Sequence, residues 1–207
     1  MLVIEENFDI DMNSEIDYFK IETNNLAPQK GKILIAEPFL NDVYFKRSIV
    51  FLTEHNDEGS IGFVLNKPVN LQINEVINDF PLFDGNISVG GPVSTNTVHY
   101  IHTLGELVPN SVPVCSNIYW GGDFETVKNL VSNGLINKSQ IRFFLGYSGW
   151  MPKQLEDELS QNSWLVSNIE PSVVMEHNMG EAWKDLLKVL GSKYKMWINS
   201  PENPSLN

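Results

Sequence analysis

The stretch "RSIVFLTEHNDEGSIGFVLNKP", Arg47 to Pro68, sets two short runs rich in β-branched and aromatic residues, "SIVFLTE" and "SIGFVLN", on either side of "NDEG", Asn56 to Gly59. Runs of this length and composition, bounded by turn residues, read as buried strands, and an Asn-Asp-Glu-Gly link between them reads as a hairpin turn. The same stretch puts a cation, an imidazole and an amide (Arg47, His55 and Asn66) at the edges of those strands.

Six more runs follow the pattern: "KILIAE", "NISVGG", "VHYIHTL", "NIYWGG", "IRFFLGY" and "SWLVS". Helices are fewer and fall mostly late in the chain. "NLQINEVINDF" spaces Leu71, Ile73, Val76 and Ile77 near the helical period. "DFETVKNLVSNG" opens on a capping Asp123 and closes at Gly134, and "MPKQLEDELSQ" offers Pro152 at a first-turn position. "MGEAWKDLLKVLG" lines Trp183, Leu186, Leu187 and Leu190 into one stripe. The order predicts an α+β fold: a single compact domain of mixed, largely antiparallel sheets flanked by helices.

Seven acidic residues against one lysine mark residues 1–26 as an acidic, partly flexible segment ahead of a domain spanning 27–207. The tail "WINSPENPSLN" carries two prolines and no periodicity, and is expected as an extended strap. No apolar run is long enough to span a bilayer and the first residues are acidic where a signal peptide is basic, so the chain is placed in the cytoplasm. A single cysteine, Cys115, agrees with a reducing compartment. The net charge of -12 repels phosphate backbones, which disfavours direct nucleic-acid binding.

Only two arginines exist, Arg47 and Arg142. The Arg fork suits a carboxylate or phosphate, so Arg47 beside Ser48 is a candidate anion ligand, with a structural ion pair to Asp42 or Glu54 as the competing reading. His55 is either a base or a pin for the turn. His99 and His102 lie three apart, and in a strand such residues face opposite sides, so they cannot chelate one ion and no metal site or cofactor is expected. "GYSGW", Gly146 to Trp150, fails as a nucleophile elbow because Trp150 stands where a small residue is required. The glycine pairs Gly90-Gly91 and Gly121-Gly122 read as turns rather than phosphate cradles.

Taken together, "GKILIAEPFLNDVYFKRSIVFLTEHNDEGSIGFVLNKP", "GGPV", "HTLG" and "IRFFLGYSGWMPKQLEDEL" resemble, in order, the YqgE/AlgH family of bacterial proteins from about Gly31 to Gly191. The resemblance implies a single α+β domain with coiled mixed sheets and carries a transcriptional-regulator label through one member's link to alginate production. Among the positions matching the family pattern, the polar set Arg47, His55, Asn66, His102, Tyr147 and Gln154, with Ser48, is expected to line a shared cleft. Ser148 stands where the family commonly has alanine. Three functions follow as expectations: an accessory protein binding a small anionic ligand or a protein partner, a hydrolase or transferase working from a His/Arg cleft, and a direct DNA-binding regulator.

Overall fold

The computed structural model describes residues 26–40 and 42–201. The acidic segment, apart from Leu26, and the end of the tail lie outside the described residues. The opening stretch forms the expected hairpin: strand β2 (Ile49–Asn56) pairs antiparallel with β3 (Gly59–Val64), and Asn56 opposite Gly59 leaves Asp57 and Glu58 as the turn. Around it run β1 (Ile33–Ala36), β4 (Pro68–Gln72), β5 (Asn86–Val89), β6 (Val93–His102), β7 (Val112–Cys115), β8 (Ile118–Trp120), β9 (Ile141–Trp150) and β10 (Trp164–Ser167). The strand order is β10-β1-β2-β3-β9-β6-β8-β7, with β5 also beside β9 and β4 beside β5. Among the described residues every strand pairing is antiparallel except β5 with β9.

Strand β9 joins the two halves. Ile141 to Leu145 and Tyr147 pair with β6, skipping Gly146 at a shift in register, and the last three residues, Ser148 to Trp150, pair with β3. The change of partner falls around Gly146, whose φ of 63° an L side chain rarely adopts. Gly90 is equally constrained, because a Cβ there would sit 2.3 Å from the Gly146 carbonyl oxygen.

Helices cover both faces because the central strands are apolar on both faces. In β1, Ile33 and Ile35 pack toward Trp183 and Leu187 of α5 (Ala182–Leu190) and Trp197 of α6 (Lys195–Asn199). Leu34 and Ala36 belong instead to the cluster holding Leu155 of α3 (Gln154–Ser160) and Trp164. A third cluster sets Val127 and Val131 of α2 (Phe124–Ser132) against Tyr100, Ile141 and Phe143. The one-turn helices α1 (Ile73–Val76) and α4 (Pro171–Val174) complete the chain.

Three local expectations are corrected, and one strand without a counterpart among the expectations is added. "NLQINEVINDF" is half strand: Pro68 and Gln72 pair with Ser88 and Asn86, and only Ile73–Val76 turns as helix. Its apolar spacing does not mark a buried face, since Leu71 and Val76 are exposed. "VPVC" is an edge strand, β7, despite its proline. Pro152 lies in the turn before α3, and Lys153 caps that helix with φ 67°. Trp197 to Asn199 form part of α6 rather than an extended strap, because Trp197 buries its ring in the core.

Candidate functional site

Residues 42–47 form a tight loop that feeds β2. The Asp42 Oδ1 accepts from the backbone N–H of Tyr44 at 2.7 Å and of Phe45 at 3.1 Å, and the chain leaves the loop through Arg47 at φ 53°. Asn66, just past β3, clamps that exit. Its Oδ1 accepts from the Ile49 N–H at 2.9 Å and its Nδ2 donates to the Arg47 carbonyl at 2.8 Å. The Arg47 guanidinium lies over the Trp183 ring, 5.1 Å from its centroid, and donates to the Ser200 carbonyl at 2.6 Å. Trp183 is itself fixed by its Nε1–H bond to the Ala36 carbonyl at 2.9 Å.

Above this platform opens a cleft of about 250 Å³. Lys46, Arg47, Lys67 and Lys184 line it with Asn66, Gly180, Glu181 and Trp183. Lys67 Nζ donates to the Lys46 carbonyl at 3.0 Å, and Lys184 pairs with Glu181 at 3.2 Å. Four of the chain's fourteen lysines and arginines thus face one small cavity with a single carboxylate, on a protein of net charge -12. Such a cavity concentrates positive potential where the surface average is negative, and it suits a compact anion.

Of the residues expected to share a cleft, Arg47 and Asn66 do so. Ser48 is fully buried next to them, and its hydroxyl has no hydrogen-bond partner among the described residues. His55 sits at the hairpin end, where Nδ1 meets Ser60 Oγ at 2.8 Å and Nε2 lies 3.9 Å from Glu156. Gln154 caps the first turn of α3: its Oε1 accepts from the Met151 N–H at 3.0 Å and its Nε2 donates to Glu158 at 2.9 Å. Tyr147 packs edge-on against His99 with centroids 5.5 Å apart.

His102 is fully buried and spends both ring nitrogens inside the fold. Nδ1 accepts from the Leu104 N–H at 3.2 Å, which leaves Nε2 as the donor, 2.9 Å from the Gly121 carbonyl and 3.0 Å from Ser111 Oγ. His55 and His102 cannot serve one reaction centre. His55 pairs with Ser60, which pairs with Trp150 of β9, whereas His102 pairs with Ile141 at the other end of that strand. Nine residues of strand span up to about 30 Å. Ser148, inside β9 rather than on a strand-to-helix turn, donates its buried hydroxyl to the Gly90 carbonyl at 2.9 Å.

Burial pulls the pKa of His102 below its ordinary 6.5, only partly offset by the Gly121 carbonyl, and burial lowers His99 in the same way. The folded state therefore binds these protons less readily than the unfolded chain. Their contribution to stability is complete above about pH 6.5 and is lost as pH falls through the folded values. The lowered carboxyls Asp84 and Asp123 act only below their ordinary 3.8. The urea midpoint is expected to fall between pH 7 and pH 5; a midpoint constant or rising over that interval contradicts the assignment.

The sequence profile of the AlgH-like family matches residues 33–195. The chain belongs to the AlgH-like family. Among AlgH-like relatives, a UPF0301 protein of Bacteroides fragilis is 45% identical over 197 residues, covering 95% of this chain and all of that one. A UPF0301 protein of Cytophaga hutchinsonii is 42% identical over 179 residues, covering 86% and 98%. The solution structure of the AlgH protein from Pseudomonas aeruginosa superposes with a TM-score of 0.67 at 26% identity, covering 86% of this chain and 98% of that chain. A Corynebacterium diphtheriae protein shares the fold with a TM-score of 0.65 at 24% identity, covering 82% and 90%. The AlgH-like fold and the family expected from the sequence motifs are thereby established. No described helix is long and apolar enough to cross a membrane.

The Arg47–Asn66 cleft has components that the sequence reading missed. Lys46 and Lys67 stand next to the two residues it named, and that adjacency was the available signal. Lys184 lies in the helical stretch "MGEAWKDLLKVLG", and nothing local indicated that α5 would carry it to the mouth of the hairpin.

Proposed function

We propose that this AlgH-like protein is a cytoplasmic accessory factor that binds a small anion, or an acidic group presented by a partner, in the cleft at Arg47 and Asn66, with an indirect regulatory role. The observation that carries this reading is the gathering of Lys46, Arg47, Lys67 and Lys184 around one 250 Å³ cavity on an otherwise acidic chain. The volume lies just below the usual range for small-molecule pockets, which favours a compact group such as phosphate or a carboxylate. Direct DNA binding fits poorly, since four cations in a recess are not a stripe that follows a duplex backbone. The hydrolase reading has lost its shared histidine cleft.

Thermal unfolding with phosphate, citrate and a short DNA duplex at low salt tests the proposal. A ligand at 100 times its dissociation constant adds about 2.7 kcal/mol, which for a domain of this size raises the midpoint by roughly 5–11 °C. Phosphate or citrate is expected to give such a rise, added salt to diminish it, and Lys67→Gln with Lys184→Gln to remove most of it. An absence of any rise with either anion, or a rise untouched by the double substitution, refutes the cleft as an anion site. A shift with DNA alone would favour direct DNA binding.

A further inference from the structure

A larger cavity, of about 730 Å³, opens at the end of the sheet where β6 finishes and β5 and β9 begin. Separate stretches of chain meet there: Asn86 begins β5, Thr103 follows β6, Asn117 lies between β7 and β8, Gln140 precedes β9 and Ser172 belongs to α4. Loops positioned by a rigid sheet are where binding groups collect. These loops are tied to one another. The Thr103 N–H donates to the Gln140 carbonyl at 2.9 Å, His177 Nε2 meets the Lys138 carbonyl at 2.6 Å, and Lys138 Nζ donates to Asp84 Oδ2 at 2.7 Å. Buried Arg142 of β9 holds α4 through the Val174 carbonyl at 2.6 Å. The ties fix the walls before any ligand arrives, which lowers the ordering cost of binding.

The lining has hydrogen-bonding capacity to spare and little charge. Among the described residues, the side chains of Asn86, Thr103, Asn117, Ser172 and Asn178 neither donate to nor accept from any other group of the protein. Amides and hydroxyls offer donors and acceptors side by side, and sugar hydroxyls answer both. Lys138 is paired with Asp84, and Glu176 lies in the field of buried Arg142. Burial, before any other cause, lowers the pKa of His177 below 6.5, so the imidazole is neutral at pH 7. Two carboxylates against one ammonium disfavour the anion that suits the cationic cleft. No Phe, Tyr or Trp lines the cavity among the described residues, so a nucleobase finds no ring to stack on. Pro171 and Met175 supply a small apolar surface for the C–H face of a sugar ring.

We propose that this cavity is a binding site for a neutral short saccharide, separate from the anion cleft, with which it shares no lining residue. Its volume falls within the range of about 300–1,000 Å³ usual for small-molecule pockets. The proposal does not depend on whether the cleft takes an anion.

Amide NMR on the ¹⁵N-labelled protein with glucose, maltose, cellobiose and N-acetylglucosamine tests it. At least one of these is expected to give saturable shifts centred on Gly85, Thr103, Asn117, Ser139 and His177, with a dissociation constant of about 1 mM or tighter. Asn117→Ala with Ser172→Ala, both at exposed positions, removes two of the free hydrogen-bonding groups and is expected to weaken that sugar about tenfold or more. Inorganic phosphate is expected to leave those amides unmoved. The absence of a saturable shift from all four sugars, saturable shifts centred outside the cavity, or binding untouched by the double substitution overturns the proposal. Phosphate saturating the same amides overturns it too, by making the cavity an anion site.

Discussion

Arg142→Ala is expected to lower the unfolding free energy by about 3–5 kcal/mol, a large fraction of the 5–15 kcal/mol typical of a domain. Arg142 is 1% exposed, and its guanidinium is surrounded by carbonyls instead of a carboxylate: Val174 at 2.6 Å and Leu65 at 2.8 Å, with the Phe144 ring 5.4 Å away. Burial pushes its pKa down to about 10, with Glu176 opposing the shift, so the group stays charged at neutral pH. Truncation removes three things together: the volume of a long side chain, the donors for two buried carbonyls, and the link between β9 and the segment that closes the cleft. Arg142→Met, which keeps most of the volume, is expected to cost about 1–3 kcal/mol through the unpaired carbonyls alone. Urea denaturation of both variants checks the ordering. An alanine variant within 1 kcal/mol of wild type contradicts the structural role.

Glu158→Ala is expected to cost about 2–4 kcal/mol. One carboxylate oxygen, Oε2, accepts from two indoles, Trp150 Nε1 at 2.9 Å and Trp164 Nε1 at 2.7 Å, while Oε1 accepts from Gln154. Trp164 is fully buried and Trp150 is 5% exposed, so each indole N–H loses its protein acceptor in a place water reaches poorly. Phe45 packs against both rings, stacked on Trp150 and edge-on to Trp164, which couples this clamp to the loop that ends at Arg47. Glu158→Gln retains a carbonyl acceptor and is expected to recover about half of the loss. Equal destabilisation by both substitutions would point to the negative charge, and negligible loss from either would show that the clamp is unimportant.

The strands were legible because a buried strand has few alternatives: "ILIA", "IVFL" and "IRFFL" are too short for helices and too apolar for loops. β4 and β7 were missed for the opposite reason. Their residues are largely exposed, and pairing with β5 and β8 rather than any pattern of their own makes them strands. Sequence showed which polar residues stood at strand ends, but whether two such ends meet depends on topology. Arg47 and Asn66 meet because a hairpin returns Asn66 beside the residue that precedes β2. His55 and His102 do not, because β3 and β9 lie between their strands. Arg142 stood in the sequence only as the second arginine, without an assigned role, and only the packing of α4 over β9 makes it an internal tie.

The most direct test of the anion cleft is a phosphate titration followed by amide NMR on the ¹⁵N-labelled wild-type protein. The account predicts saturable shifts centred on Lys46, Arg47, Asn66, Lys67 and Gly180, weakened by added sodium chloride and lost in the Lys67→Gln, Lys184→Gln protein. Shifts scattered over the surface without saturation, or saturable shifts centred elsewhere, would contradict it.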